Sequence, residues 1–295
     1  KQVSIQHLIN DTILPVFSKD NEVTISHAEF INATKEALQQ VFPTYQQSVA
    51  DIRVSHIIKG RTPSAIGKPV KELLEHEKTI YYERMAFVIE LPCLKQNVNG
   101  NQLSLCVGGV RAYNTENLYS RKTIEKFKVF IGFQNAVCTN LCISTDGFKD
   151  EIRVTNIEEL QQKIAELFNS YDQEKHLGNM ERLSKFHFFP EQMAHLVGKM
   201  KMYQYLTTHQ KKEIPLLDVN DTQINAITKS YFKDENFKVS ENGVINLWEV
   251  YNLFTGAVKS SYIDSFLQRE VQAYEFIQKL CNSMQNKEPN YFLTL

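Results

Sequence analysis

A chain of 295 residues, 42% hydrophobic and 23% charged, has the length for one large domain or two small ones and too much apolar content for a disordered polymer. Its 33 Lys and Arg against 34 Asp and Glu leave a net charge of −1, so no overall field draws it to DNA or to an anionic membrane. Its mean hydropathy of −0.34 is ordinary, no apolar run reaches the about 18 residues that span a bilayer, and the five cysteines read as reduced thiols. With no signal-peptide core in KQVSIQHLIN, the expected location is the cytoplasm, with no membrane partner.

Residues 1–25 show no clear period. Ser26 to Phe42 is the first helix: Ser26 and Glu29 have capping-box spacing, and Phe30, Ala33, Ala37, Leu38 and Val41 form the apolar stripe. Asp51 to Ile58 reads as a short strand. Gly60 to Pro69 is a loop; Gly67-Lys68 imitates a phosphate-binding loop but lacks the earlier glycine and the following Ser or Thr. A meander follows, with strands at Tyr82 to Leu94, Leu103 to Tyr113 and Lys126 to Asn135. Asn99-Gly100 signals the first hairpin, and Gly108-Gly109 suggests a bulge or a close backbone approach. Ala136 to Ser144 fits either a continued strand or a short buried helix. Glu151 to Thr155 is a last short strand.

From Asn156 the spacing turns helical. One helix is expected from Ile157 through Leu183 with a break at Gly178, then others at Pro190 to Leu206, Thr222 to Phe232, Asn246 to Phe254 (closed by Gly256) and Asp264 to Met284 (capped from Ser260 and Ser261). The expected class is α+β: an antiparallel meander sheet in the N-terminal half, 1–155, and an all-helical C-terminal half, 156–295, packed on it as one compact unit.

Four sets of residues are candidates for function. Cys138 and Cys142, spaced CTNLC, would share a face if helical and hold half a zinc site or a nucleophile. No second closely spaced pair completes it, so no metal or other cofactor is expected and the thiols read as core. Gln134, Asn135, Thr139, Asn140 and Asp146 are polar groups in an apolar stretch, either the floor of a site or amides that knit a turn to a strand. Arg111, Arg121, Lys122, Lys126 and Lys128 form one basic cluster, and Lys175 to Lys212, with Lys199, Lys201 and Tyr203, a second one rich in aromatics. Such interleaving suits single-stranded nucleic acid, although solvated charged faces look the same. Trp248, Asn252, Thr255 and Tyr262 mark a helical signature late in the chain.

The stretches EKTIYYERMAFVIELP, VGGVRAYNTENLYS, FKVFIGFQNAVCTNLCISTDGF and NLWEVYNLFTGAVKSSYIDSFLQR resemble a bacterial family of unknown function common in gut bacteria. VCTNLC and NLWEVYNLFT are also distantly similar to the phage/plasmid-like proteins of unknown function. That resemblance implies a mobile-element context. The expectation is therefore a non-enzymatic accessory protein that binds nucleic acid, most simply single-stranded DNA. The alternatives are a protein-interaction or self-associating module, or a thiol- or metal-dependent enzyme centred on Cys138 and Cys142.

Overall fold

The computed structural model of the chain describes residues 1–12, 24–113 and 124–293. Its first elements are β1 Gln2–Val3, α1 Ile5–Asn10, α2 His27–Val41, β2 Asp51–Val54, β3 Ile58–Arg61 and β4 Lys78–Tyr82. The long strands β5 Met85–Val98, β6 Asn101–Arg111 and β7 Glu125–Asn135 come next, then β8 Leu141–Cys142 and β9 Phe148–Val154. The helical part comprises α3 Ile157–Ser170, α4 Gln173–Leu183, β10 His187–Phe188, α5 Pro190–Tyr203, α6 Thr208–Lys211, α7 Asp221–Lys233, β11 Ile245–Asn246, α8 Leu247–Val258 and α9 Phe266–Asn286.

The class is mixed α and β, with an antiparallel sheet in the N-terminal half and helices dominating the C-terminal half. Among the described residues the sheet runs β1-β2-β5-β6-β7-β8, with β9 on β7. The C-terminal half is not all-helical, because β10 and β11 pair there with His187 opposite Asn246 and Phe188 opposite Ile245. The chain forms two compact units, one of 1–91, 106–131 and 149–170, the other of 92–105, 132–148 and 171–295. No single cut separates them: β5, β6 and β7 each contribute residues to both, and α3 goes with the first.

In the first unit the expected cap of α2 is present. The Ser26 hydroxyl accepts from the Glu29 amide at 3.1 Å, and the Glu29 carboxylate accepts from the Ser26 amide at 2.6 Å. That cap presents Phe30, Ile31, Ala33, Ala37 and Leu38 to the core, all buried. Strand β2 lies antiparallel on β5, Ile52 opposite Phe87. Close approach explains Gly108-Gly109: a Cβ on Gly109 would lie 2.5 Å from the Phe30 ring and 2.6 Å from the Lys128 carbonyl oxygen, and one on Gly108 would collide with the Phe87 carbonyl.

In the second unit Asn99 and Gly100, at φ 51° and 81°, make the left-handed pair that a two-residue hairpin needs. The 136–144 stretch is neither helix nor continued strand. Thr139 takes φ 55°, and β8 returns along β7 with Cys142 opposite Phe133 and Leu141 opposite Gln134. Three expected helix limits also shift. The break after α3 falls at Tyr171–Asp172, where the Asp172 carboxylate accepts from the Lys175 amide at 2.9 Å, while Gly178 continues α4. Gly256 lies inside α8, which runs on to Val258. Ser265, not Ser260 or Ser261, is the residue that enters α9, and the Ser260 hydroxyl donates back to the Ala257 carbonyl at 2.8 Å.

Candidate functional site

The two most distinctive stretches of sequence meet inside the second unit, where α8 packs against the β7–β8 hairpin. Asn252 is the pivot. Its amide nitrogen donates to the Trp248 carbonyl one turn back at 2.9 Å, and its side-chain oxygen accepts from the Asn135 amide at 3.3 Å. Asn140 donates to the Asn252 backbone oxygen at 3.0 Å, and Asn135 turns its own side-chain oxygen to the Val137 amide at 3.2 Å. Thr255 bonds the Tyr251 and Asn252 carbonyls at 3.2 Å each. Lys259 donates to the Cys138 carbonyl and to the Thr139 hydroxyl, and Gln134 reaches the Thr139 carbonyl at 3.4 Å. The side chains of Asn135, Asn140, Asn252 and Thr255 are buried and engaged within the protein. Such a lattice costs little because its polar groups find partners, and it fixes the hairpin's register against α8.

The remaining signature residues divide. Trp248 is buried, its indole nitrogen donating to Asn101 at 2.7 Å, whereas Tyr262 is exposed. Asp146 accepts from the Asp172 amide at 3.0 Å and so braces the start of α4. Cys142 is fully buried and its thiol is pushed far up by burial; burial also raises Cys138. A thiol held protonated is the opposite of an activated nucleophile. Among the described residues no group of three or more His, Cys, Asp and Glu side chains is placed to hold a metal ion.

The basic candidates do not share one environment. In the first unit Arg111 is wholly buried: its guanidinium meets Glu125 at 2.5 Å and the Ile25 carbonyl at 2.8 Å, and sits 4.1 Å from the centre of the Phe127 ring. Lys126 pairs with Glu151 at 3.3 Å and Lys128 with Asp150 at 2.7 Å, across neighbouring strands β7 and β9. Arg121 and Lys122 lie outside the described residues. In the second unit Lys201 is held by Asp221 and Asn225 at 2.7 and 2.8 Å, and Lys199 lies 4.4 Å from the centre of the Tyr291 ring. Tyr203 is buried, with the Lys211 ammonium 4.9 Å from its ring centre.

A third feature, which periodicity did not reveal, is an apolar cleft of about 630 Å³ between α5 and α7. Pro190 sets the first turn of α5, where its missing N–H costs nothing, and Met193, Val197 and Gly198 form one wall. Tyr231 and Phe232 form the other, Phe232 being 63% exposed. The turn after α7 closes one end through Val239, Glu241 and Gly243. That turn is tied down at several points. Asp234 accepts from the amides of Asn236 and Phe237 at 2.9 Å, Val239 donates to the Tyr231 carbonyl at 2.8 Å, and Ser240 both accepts from and donates to Val244. Gly243, at φ 78°, lets the chain pass the Pro190 ring, which a Cβ there would meet at 3.0 Å. The cleft is therefore preformed, a property of binding sites. In the sequence its only trace was a large ring at the end of a helix, Phe232, before a turn rich in Asp, Asn, Ser and Gly.

Fold and site together define an α+β protein with a saturated polar core and an open apolar cleft, a binding architecture with no catalytic constellation among its described residues. The chain belongs to the bacterial family described as "Domain of unknown function, B. Theta Gene description (DUF3871)", which it matches over residues 1–293. No curated protein and no solved structure matches it, and the distant similarity to the phage/plasmid-like proteins gains no support from these comparisons.

Proposed function

We propose that the protein is a non-catalytic interaction module whose working surface is the cleft between α5 and α7. The observation that carries this reading is the cleft itself: preformed, lined mostly by apolar side chains, with Phe232 offered to solvent at its wall. A soluble protein that keeps a large ring exposed beside an apolar trough of this size has a surface suited to a partner's apolar side chains. The test is a labelled amphipathic helical peptide of about five turns with an uncharged polar face. Its binding should protect α5 and α7 from hydrogen exchange and should be abolished by Gly198→Trp. A Cβ at Gly198 meets nothing within 4 Å, so the bulky ring can fill the trough without disturbing the fold. Absence of binding, or binding indifferent to Gly198→Trp, would overturn the reading.

A second reading is supported by a separate observation, at the far end of α5. Lys199 over Tyr291, Lys211 over Tyr203 and the 88% exposed Tyr205 put cations and an open ring in one short segment. This is the pairing of charge and stacking surface that single-stranded DNA uses. The mobile-element context rests on the resemblance of VCTNLC and NLWEVYNLFT alone. Binding of a labelled 30-nucleotide strand that weakens with salt and falls at least fivefold in Tyr205→Ala would favour it. No shift at low salt with micromolar protein would remove it.

A further inference from the structure

The charge around the cleft narrows the chemistry of its occupant, an inference that rests on reading the cleft as a docking surface. Two carboxylates stand at it. Glu241 lines the closing turn, and Glu191 lies in the first turn of α5 directly after the lining residue Pro190. Both are exposed, and neither has an ion-pair partner among the described residues. The charge of Glu191 reaches the opposite wall: burial first, and that charge second, push the Tyr231 hydroxyl up. The cations of α5 are committed elsewhere, Lys201 to Asp221 and Asn225 and Lys199 to the Tyr291 ring, and the α7 lysines Lys229 and Lys233 do not line the cleft. An apolar trough with unmatched negative charge is complementary to an apolar stripe flanked by positive charge.

We infer that the cleft takes a basic amphipathic helix of a partner protein, its apolar stripe seated between α5 and α7 and its Lys or Arg side chains meeting Glu191 and Glu241. A helix suits the shape, because two helical walls receive anchors at i, i+3 or i+4 and i+7. Helix α5, at 14 residues, offers a wall of about 20 Å. A second copy of this chain is a poorer occupant. Its own long amphipathic helices, α3 and α9, already bury Leu160, Ile164 and Leu167, and Val271, Phe276 and Leu280.

The experiment compares three labelled peptides with one apolar stripe and lysine, glutamine or glutamate flanks, by fluorescence anisotropy at 50 and 300 mM salt. The lysine peptide should bind the full chain at least tenfold more tightly than the glutamate peptide at low salt, with the gap shrinking at high salt. Glu191→Lys combined with Glu241→Lys should reverse the order, and Gly198→Trp should abolish binding of all three. Equal binding of the three peptides, still blocked by Gly198→Trp, would overturn the charge inference while leaving the docking reading intact. Binding by none, or binding that Gly198→Trp does not touch, would sink the docking reading itself. A dimer in sedimentation that Gly198→Trp converts to monomer would overturn the inference in favour of a second copy.

Discussion

Glu270 is 1% exposed on α9, and its Oε2 has no hydrogen-bond partner; the Cys142 thiol and the Tyr251 hydroxyl are among the groups whose titration it perturbs. Burial pushes its carboxyl well above 4.5, so the folded protein keeps the proton that the unfolded chain gives up. The stability tied to that proton is complete below pH 4.5 and drains away as pH rises towards the folded pKa. Glu270→Gln should therefore raise the melting temperature more at pH 8 than at pH 5, by about 2–4 °C for each kcal/mol regained. A constant offset across that range would show that the carboxyl does not titrate between the two states.

His27 and His176 act in the opposite direction. Both are buried, and desolvation lowers each to about 3 from 6.5. His27 bonds the Glu83 carbonyl at 2.9 Å, and His176 the Tyr171 hydroxyl at 2.7 Å, beside the rings of Phe133 and Tyr274. The stability present above pH 6.5 is lost as pH falls towards 3, with a slope of up to about 1.4 kcal/mol per pH unit for each ring. His176→Phe should flatten the acid limb of a denaturation series between pH 6 and 4, whatever it does to stability at pH 7. An unchanged slope would mean that His176 is already charged in the folded state.

At the scale of elements, glycines of one composition carry opposite meanings. Gly178 sits inside α4 with nothing within 4 Å of an added Cβ, so Gly178→Ala should stabilise by about 0.5–1 kcal/mol through helix propensity. Gly109→Ala would force β6 off the Phe30 ring and the Lys128 carbonyl and should cost about 1–3 kcal/mol or prevent folding. Urea denaturation of the two variants checks both signs. The Asn252 lattice offers a further test: Asn252→Leu strands the Asn135 amide, at about 1–3 kcal/mol for each buried group left without a partner. A loss below about 0.5 kcal/mol would mean that the lattice specifies register without adding stability.

Features legible in the sequence were those that local chemistry alone determines. Ser26 with Glu29, Asn99-Gly100 and Pro190 each carry their backbone geometry in two to four residues, and alternation along Phe127, Val129, Ile131 and Phe133 marked β7. Less legible were outcomes decided by distant partners. Gly178 and Gly256 look like breaks, yet neither ends its helix, and Asp172 supplies the cap that starts α4. Lys126 and Lys128 read as a basic face until Glu151 and Asp150 arrive beside them from the next strand. The cleft draws its walls from Met193, Tyr231 and Val239, residues that share no period and are joined only by folding.

At the scale of the whole molecule, the single tryptophan is a built-in reporter. Trp248 is 1% exposed in the second unit, while the Arg111–Glu125 pair lies buried in the first. Arg111→Met leaves Glu125 charged in the core, a change that costs about 3–5 kcal/mol. Because β5, β6 and β7 each run through both units, the loss should shift the Trp248 fluorescence transition and the far-ultraviolet circular dichroism transition together. Two separated transitions would mean that the units unfold independently.

The same three strands constrain how such a protein can be inherited. A gene truncated or spliced at any one point would deliver neither unit whole, because each is assembled from three separate stretches of chain. Shuffling, the usual route by which modules spread among unrelated proteins, is closed to either half alone. The match to a single family over residues 1–293 accords with that: selection handles this chain as one indivisible unit.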